Sequence, residues 1–203
     1  MPARPTARIV VDRSLHALAV RCWPDGCPGG ATCCTRLVPE VTRAERRVID
    51  GLMDQLAVIA PRLRDARGYQ NVFVDEPPGC VIDSDERGCP FLHRRGGRAL
   101  CAIHTLALQS GRPVVAVKPA SCRHWPLALA PAPAGRVRVY VDPVAHEIGC
   151  VAPRAALPGH PSVFEAFAAV LEEMAAAVAP ARRTGATPGA AGAHRGARRS
   201  RRR

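Results

Sequence analysis

At 203 residues the chain has room for one ordinary domain, or for one domain with a tail, and its composition favours the second. The net charge of +12 is uneven, because residues 181–203 hold eight arginines and no acid and leave the body only mildly basic. No stretch approaches the ~20 apolar residues of a membrane span. Asp12, Arg13 and His16 also interrupt any secretory-type apolar run, so the cytoplasm is the expected compartment and no membrane partner is expected.

In chain order, residues 8–20 read as a strand or short hairpin, and the Pro/Gly-rich stretch from Cys22 to Cys34 as a loop. Thr42-Arg-Ala-Glu45 is a capping-box pattern that opens a helix, with Val48, Ile49, Leu52, Leu56 and Ile59 at helical spacing as far as Leu63. Residues 71–75 and the segment from Cys80 read as strands on either side of the Pro77-Pro78-Gly79 break. Cys89-Pro-Phe-Leu92 and Ala99-Leu-Cys101 then form a hairpin across Gly96-Gly97. A short helix follows and ends at Gly111, with Cys101 at its start, and a Val-rich segment spans 114–117. Leu127–Ala130 and Arg136–Val141 pair across Pro131–Gly135, and Ser162–Val178 is the last helix. Beyond Pro180 the chain is Ala, Gly, Arg and Pro with no large apolar residue, the composition of a disordered tail. The expected domains are therefore a cysteine-rich body, 1–180, and an Arg-rich tail, 181–203. The expected fold class is α+β, a small metal-stabilised domain with short antiparallel strands and two main helices.

Two compositional features stand out. Of 29 basic residues only Lys118 is a lysine, and there are 35 alanines, a skew that reads as the codon bias of a GC-rich genome. Nine cysteines fall short of the roughly 8–10% of a disulfide scaffold but are too many for incidental packing. In a reducing compartment such patterns point to metal more often than to disulfides, and an odd count leaves at least one thiol unpaired. With only eight Phe, Trp and Tyr residues to fill a core, metal cross-linking would add stability that packing supplies sparingly.

Cys22, Cys27, Cys33 and Cys34 share one loop, Cys89, Cys101 and Cys122 stand at the ends of short elements, and Cys150 closes the next segment. Most adjoin Gly or Pro, where tight turns let backbone wrap a thiolate centre. Cys80, beside Val81 and Ile82, fits core packing instead. Neighbouring side chains diverge, so Cys33 and Cys34 imply a ligand plus a supporting thiol, two metals, or a cluster. Zinc and iron–sulfur clusters both accept four thiolates, and spacing alone leaves the two open. Arg123 beside Cys122 and Arg21 beside Cys22 are candidates to offset thiolate charge, with solvated surface as the plain alternative. His93, His104 and His124 read as hydrogen-bonded or exposed imidazoles, and Asp75-Glu76 and Asp83–Glu86 as turn residues.

The motifs Cys33-Cys34, Cys89-Pro-Phe-Leu92, Cys101-Ala-Ile-His104, Lys118-Pro-Ala-Ser-Cys122-Arg123, Trp125-Pro126-Leu127 and Cys150 occur in the order seen in another group of proteins. Over residues 20–152 the chain resembles the YkgJ-type cysteine-cluster family, described as zinc- or iron-chelating domains. The opening loop departs from the family pattern, with Cys22-x4-Cys27-x5-Cys33-Cys34 in place of a Cys-x-x-Cys-x-x-Cys-Cys run. The resemblance implies ligands drawn from Cys27, Cys33, Cys34, Cys89, Cys101 and Cys122, with Cys22 and Cys150 as further candidates. It implies no reaction.

The leading expectation is a cytoplasmic metal-binding protein, with zinc or an iron–sulfur cluster as cofactor and a structural role or one in metal or redox handling. A protein methylase-like enzyme is the second reading, since flagellin lysine N-methylase carries a related cysteine cluster. No Gly-rich strand–loop–helix for a nucleotide-like cofactor supports it. The third is a zinc-stabilised nucleic-acid-binding protein whose tail contacts a polyanion through its arginines, although the tail has no aromatic residue to stack on bases.

Overall fold

A computed structural model describes residues 9–21, 27–28, 33–64 and 72–178 of the chain. Cys22 and the tail 181–203 lie outside the described residues.

The fold is α+β, built from short elements. In chain order these are β1 (Ile9–Val11), α1 (Ser14–Ala17), β2 (Leu18–Val20), β3 (Cys27–Pro28), α2 (Cys33–Arg36), β4 (Glu40–Val41), α3 (Arg43–Asp50) and α4 (Met53–Ile59). Next come β5 (Phe73–Glu76), β6 (Gly79–Ile82), β7 (Leu92–Arg95), β8 (Arg98–Cys101), α5 (Ala102–Gln109), α6 (Val114–Val117) and α7 (Ala120–His124). The chain continues through β9 (Leu127–Ala132), β10 (Arg136–Val141), α8 (Val144–Glu147), β11 (Val151–Pro153), α9 (Val163–Ala166) and α10 (Ala168–Val178). The described residues fall into two compact units, one made of 9–21 with 124–178 and the other of residues within 27–123.

In the first unit, β9 and β10 form the expected hairpin, with Leu127 opposite Val141 and Ala132 opposite Arg136. Ala134 and Gly135 take the positive φ values, 59° and 67°, that close its turn. Leu127, Val139 and Val141 are buried while Arg136 and Arg138 are exposed, the alternation of a one-sided sheet. β1 joins this sheet parallel to β10, Ile9 facing Val137, a pairing that antiparallel expectations from local pattern do not anticipate. β2 and β11 form a separate antiparallel pair. The last predicted helix is two pieces, α9 and α10, parted at Phe167. Ser162 caps α9 with a reciprocal box: Glu165 N–H donates to Ser162 Oγ (3.2 Å), and Ser162 N–H donates to Glu165 Oε2 (2.7 Å).

In the second unit the first predicted helix is also broken. α3 ends at Gly51, Leu52 leaves helical geometry, and α4 restarts at Met53 before a 3-10 turn over Pro61–Arg64. Glycine costs about 1 kcal/mol within a helix, so the chain kinks there at little expense. The kink aims Leu52, Met53, Leu56 and Ala57 inward and leaves Val48 at 41% exposure. With α5, as long as α3 at eight residues, the expected pair of main helices becomes a larger set of shorter ones. Ile49, Leu56, Phe73, Ile82, Phe91, Ile103 and Leu106 make the core, against which Cys34 and Cys101 also pack. Sheet β4-β6-β5 lies to one side of it in sequence and sheet β3-β8-β7 to the other. No described helix is long and apolar enough to cross a membrane.

Ser162 is 1% exposed and carries the α9 cap. Replacing it (Ser162→Ala) is expected to lower unfolding stability by about 1 kcal/mol, measured by urea denaturation.

Candidate functional site

The second unit brings cysteines from separate segments to one place. Cys33 and Cys34 occupy the single turn of α2, and Cys89 follows the Asp85–Gly88 turn. Cys101 ends β8 as the N-cap residue of α5, and Cys122 lies in α7. Cys34 is in electrostatic reach of Cys33, Cys101 and Cys89, and Cys89 of Cys101, Cys122 and Cys33. Cys122 is likewise in reach of Cys101 and Cys33. Cys27, on β3 opposite Ala99, is the outlying member and is influenced by Cys33 and Arg94. Cys89 is buried, and Cys27, Cys33, Cys34, Cys101 and Cys122 are half-buried.

Backbone docking sets the closest approach. Cys89 N–H donates to the Cys34 carbonyl at 2.6 Å. This requires the preceding residue to press against α2. Gly88 does so at φ +93°, where a Cβ would stand 2.7 Å from Cys34 O and 2.9 Å from Thr35 Cα. Only glycine meets both the left-handed backbone and the missing space. The turn is pinned from behind by Arg62, which donates to the Gly88 and Cys89 carbonyls (3.3 Å each) and to Asp85 Oδ1 (2.9 Å). Burial alone would raise Asp85, but hydrogen bonds from Arg87 and Arg62 outweigh it and hold the carboxyl below its usual range.

A second clamp places Cys122. Glu45 closes the predicted capping box of α3 through Oε2, which accepts from Thr42 N–H (2.9 Å). Its other oxygen accepts from Ala120 N–H (2.7 Å), the first amide of α7. Ser121 Oγ donates to the Glu40 carbonyl (2.6 Å), so α7 is tied to the same α3 entrance twice.

Electrostatics then divide the thiols. The Cys34 S–H donates to Cys33, which lowers Cys33 and raises Cys34. Burial, and then the neighbouring sulfurs, push Cys89 well up and Cys122 to about 12. Burial acts on Lys118 in the opposite sense, towards neutrality. Cys101, Cys122, Cys33 and Cys34 together overcome it and raise the ammonium above its ordinary value. Lys118, not Arg123, is therefore the cation acting on the sulfurs. Arg123 donates to the Lys118 carbonyl, and Arg21 is exposed in the first unit.

Other expected residues stand elsewhere. Cys80 is 3% exposed on β6 with its S–H towards the Val41 carbonyl (3.4 Å), and the charges acting on it are Arg46, Asp75 and Asp50, as befits a packing residue. Cys150 belongs to the first unit and is 7% exposed, its carbonyl accepting from Arg21 N–H. His93 bonds Thr105 Oγ1 (3.0 Å) and His124 bonds Glu173 (3.3 Å), the plain roles expected of them. His104 is half-buried and lowered by burial, then by Lys118.

Among the described residues, no three histidine, cysteine, aspartate or glutamate side chains already form a set that could hold a metal ion. The sulfurs are neighbours rather than a closed coordination shell. Their chemistry nonetheless suits a thiophilic metal: soft donors, shielded from water, beside a cation and free of disulfides among the described residues. Sequence reasoning did not give Lys118, Glu45 or Gly88 their roles here. The signal for Lys118 was its being the one lysine among 29 basic residues. No family model matches the chain, and neither the curated proteins nor the solved structures compared with it give a match.

Two outcomes are expected. Gly88→Ala should destabilise the fold by more than about 1 kcal/mol and strip the Cys89 amide of protection in hydrogen exchange, since its bond to Cys34 can no longer close. Asp85 contributes stability that is present above 3.8 and lost as pH falls through its lower folded value. The difference in thermal midpoint between the wild type and Asp85→Asn should therefore shrink as pH falls below that range.

Proposed function

We propose that this chain is a metal-binding protein whose second-unit thiols hold zinc or an iron–sulfur cluster, with a structural role or one in metal or redox handling. The observation that carries this reading is the mutual proximity of Cys33, Cys34, Cys89, Cys101 and Cys122, drawn from α2, the 85–89 turn, the end of β8 and α7. Simple packing does not need sulfur at all of these places, whereas a site of four or more thiolates does. Cys27 is a further donor of the set, and Cys150 and Cys22 remain candidates on sequence grounds. The same motif cysteines carry the resemblance to the YkgJ-type family, and we propose membership on that basis. The cytoplasm, where thiols stay reduced, is the compartment that suits such a set.

When bound, the metal would cross-link four segments of the second unit and so add folding energy. The chain's own part is to hold the sulfurs together. Gly88 and Arg62 seat Cys89 against α2, Glu45 seats the helix of Cys122, and the core residues Phe91 and Ile103 back them.

Metal analysis and an absorption spectrum of anaerobically purified full-length protein test the reading. Iron with acid-labile sulfide in a brown sample, or stoichiometric zinc in a colourless one, is expected. Cys89→Ser and Cys101→Ser should lose metal, while Cys80→Ala should keep a wild-type content. Folded protein without metal and with every thiol titratable overturns the proposal.

A further inference from the structure

Lys118 carries an inference that rests on the metal-site reading and goes beyond it. Every other cation of fixed charge in the chain's side chains is an arginine, and the one exception is set among thiols. The strongest electrostatic influences on its half-buried side chain are Cys101, Cys122, Cys33 and Cys34. The backbone holds it there. Lys118 N–H donates to the Val114 carbonyl (2.9 Å) at the end of α6, the Arg123 guanidinium holds its carbonyl, and Pro119 behind it is fully buried.

An ammonium placed among neutral thiols forfeits hydration and gains little in return. Among thiolates it gains a strong attraction in a medium of low effective dielectric. Four thiolates around a divalent ion still leave a net double negative charge, which a buried site must offset. A compact ammonium on a flexible stem can sit between several sulfurs, where the planar guanidinium fork is shaped for paired oxygens. We propose that Lys118 is the built-in counter-cation of the thiolate site, a positioning residue whose fixed charge lets the sulfurs be held as thiolates on a metal.

Zinc titration of the reduced, metal-free full-length chain against a chromophoric competing chelator tests this, with wild type, Lys118→Met and Lys118→Arg compared and circular dichroism reporting the fold of each. Lys118→Met should bind zinc about 10–100-fold more weakly, the usual loss for an outer-shell partner of a metal site, and Lys118→Arg should recover most of the affinity. Lys118→Gln carries the comparison should Lys118→Met fail to fold. Neutral variants that bind as tightly as wild type overturn the inference while leaving the metal site standing. Equal loss in Lys118→Arg and Lys118→Met overturns it too, because packing and not charge would then be at work. If wild type takes up neither zinc nor, on anaerobic reconstitution with iron and sulfide, a cluster, the metal-site reading itself fails and this inference with it.

Discussion

The hydrogen bond from the Cys89 amide to the Cys34 carbonyl, 2.6 Å long, is the constraint from which the rest of the second unit's site follows. It joins two segments more than fifty residues apart in sequence, and it exists because Gly88 supplies a backbone conformation and a clearance that no side-chain-bearing residue has. Once the 85–89 turn is seated on α2, Phe91 is carried into the core and Ala102 N–H reaches the Phe91 carbonyl (2.7 Å). That bond brings the end of β8, and so Cys101, alongside. Arg62 and Asp85 serve the same docking from the far side, and their ion pair matters less for its charge than for the two carbonyls Arg62 also holds.

Burying sulfur this way is costly unless something makes the thiolate form favourable. Burial raises Cys89, Cys122 and Cys27, and the sulfurs raise one another. The Cys34 donation to Cys33 and the Lys118 ammonium act the other way. The cluster is thus balanced between neutral thiols and a charged set that a cation completes, a balance suited to a site that loads a metal. Glu45 links this balance to helix capping, since one carboxylate closes the α3 box and receives the first amide of the helix bearing Cys122.

Much of the local structure was legible from the chain. Thr42 and Glu45 announce a capping box, Gly96-Gly97 a hairpin that pairs Leu92 with Cys101, and Pro131–Gly135 the turn between β9 and β10. Cys80 beside Val81 and Ile82 was recognisable as core. Each signal depends on residues within a few positions of one another, where spacing alone specifies the contact. The break at Gly51 was harder to see, because periodicity runs through it and only the packing of Leu52 and Met53 decides that the helix kinks.

By itself, then, the sequence determined the α+β character, the turns, the capping residues and which cysteines stand apart from apolar runs, because these depend on backbone preference and side-chain polarity over short distances. The tertiary structure alone decided that β1 lies parallel to β10, that Gly88 presses on α2, that Glu45 reaches α7 and that Lys118 faces four sulfurs. Those contacts join residues far apart along the chain, and the choice among them is made by how cores pack and by where a buried charge finds its partner. No local pattern encodes that choice.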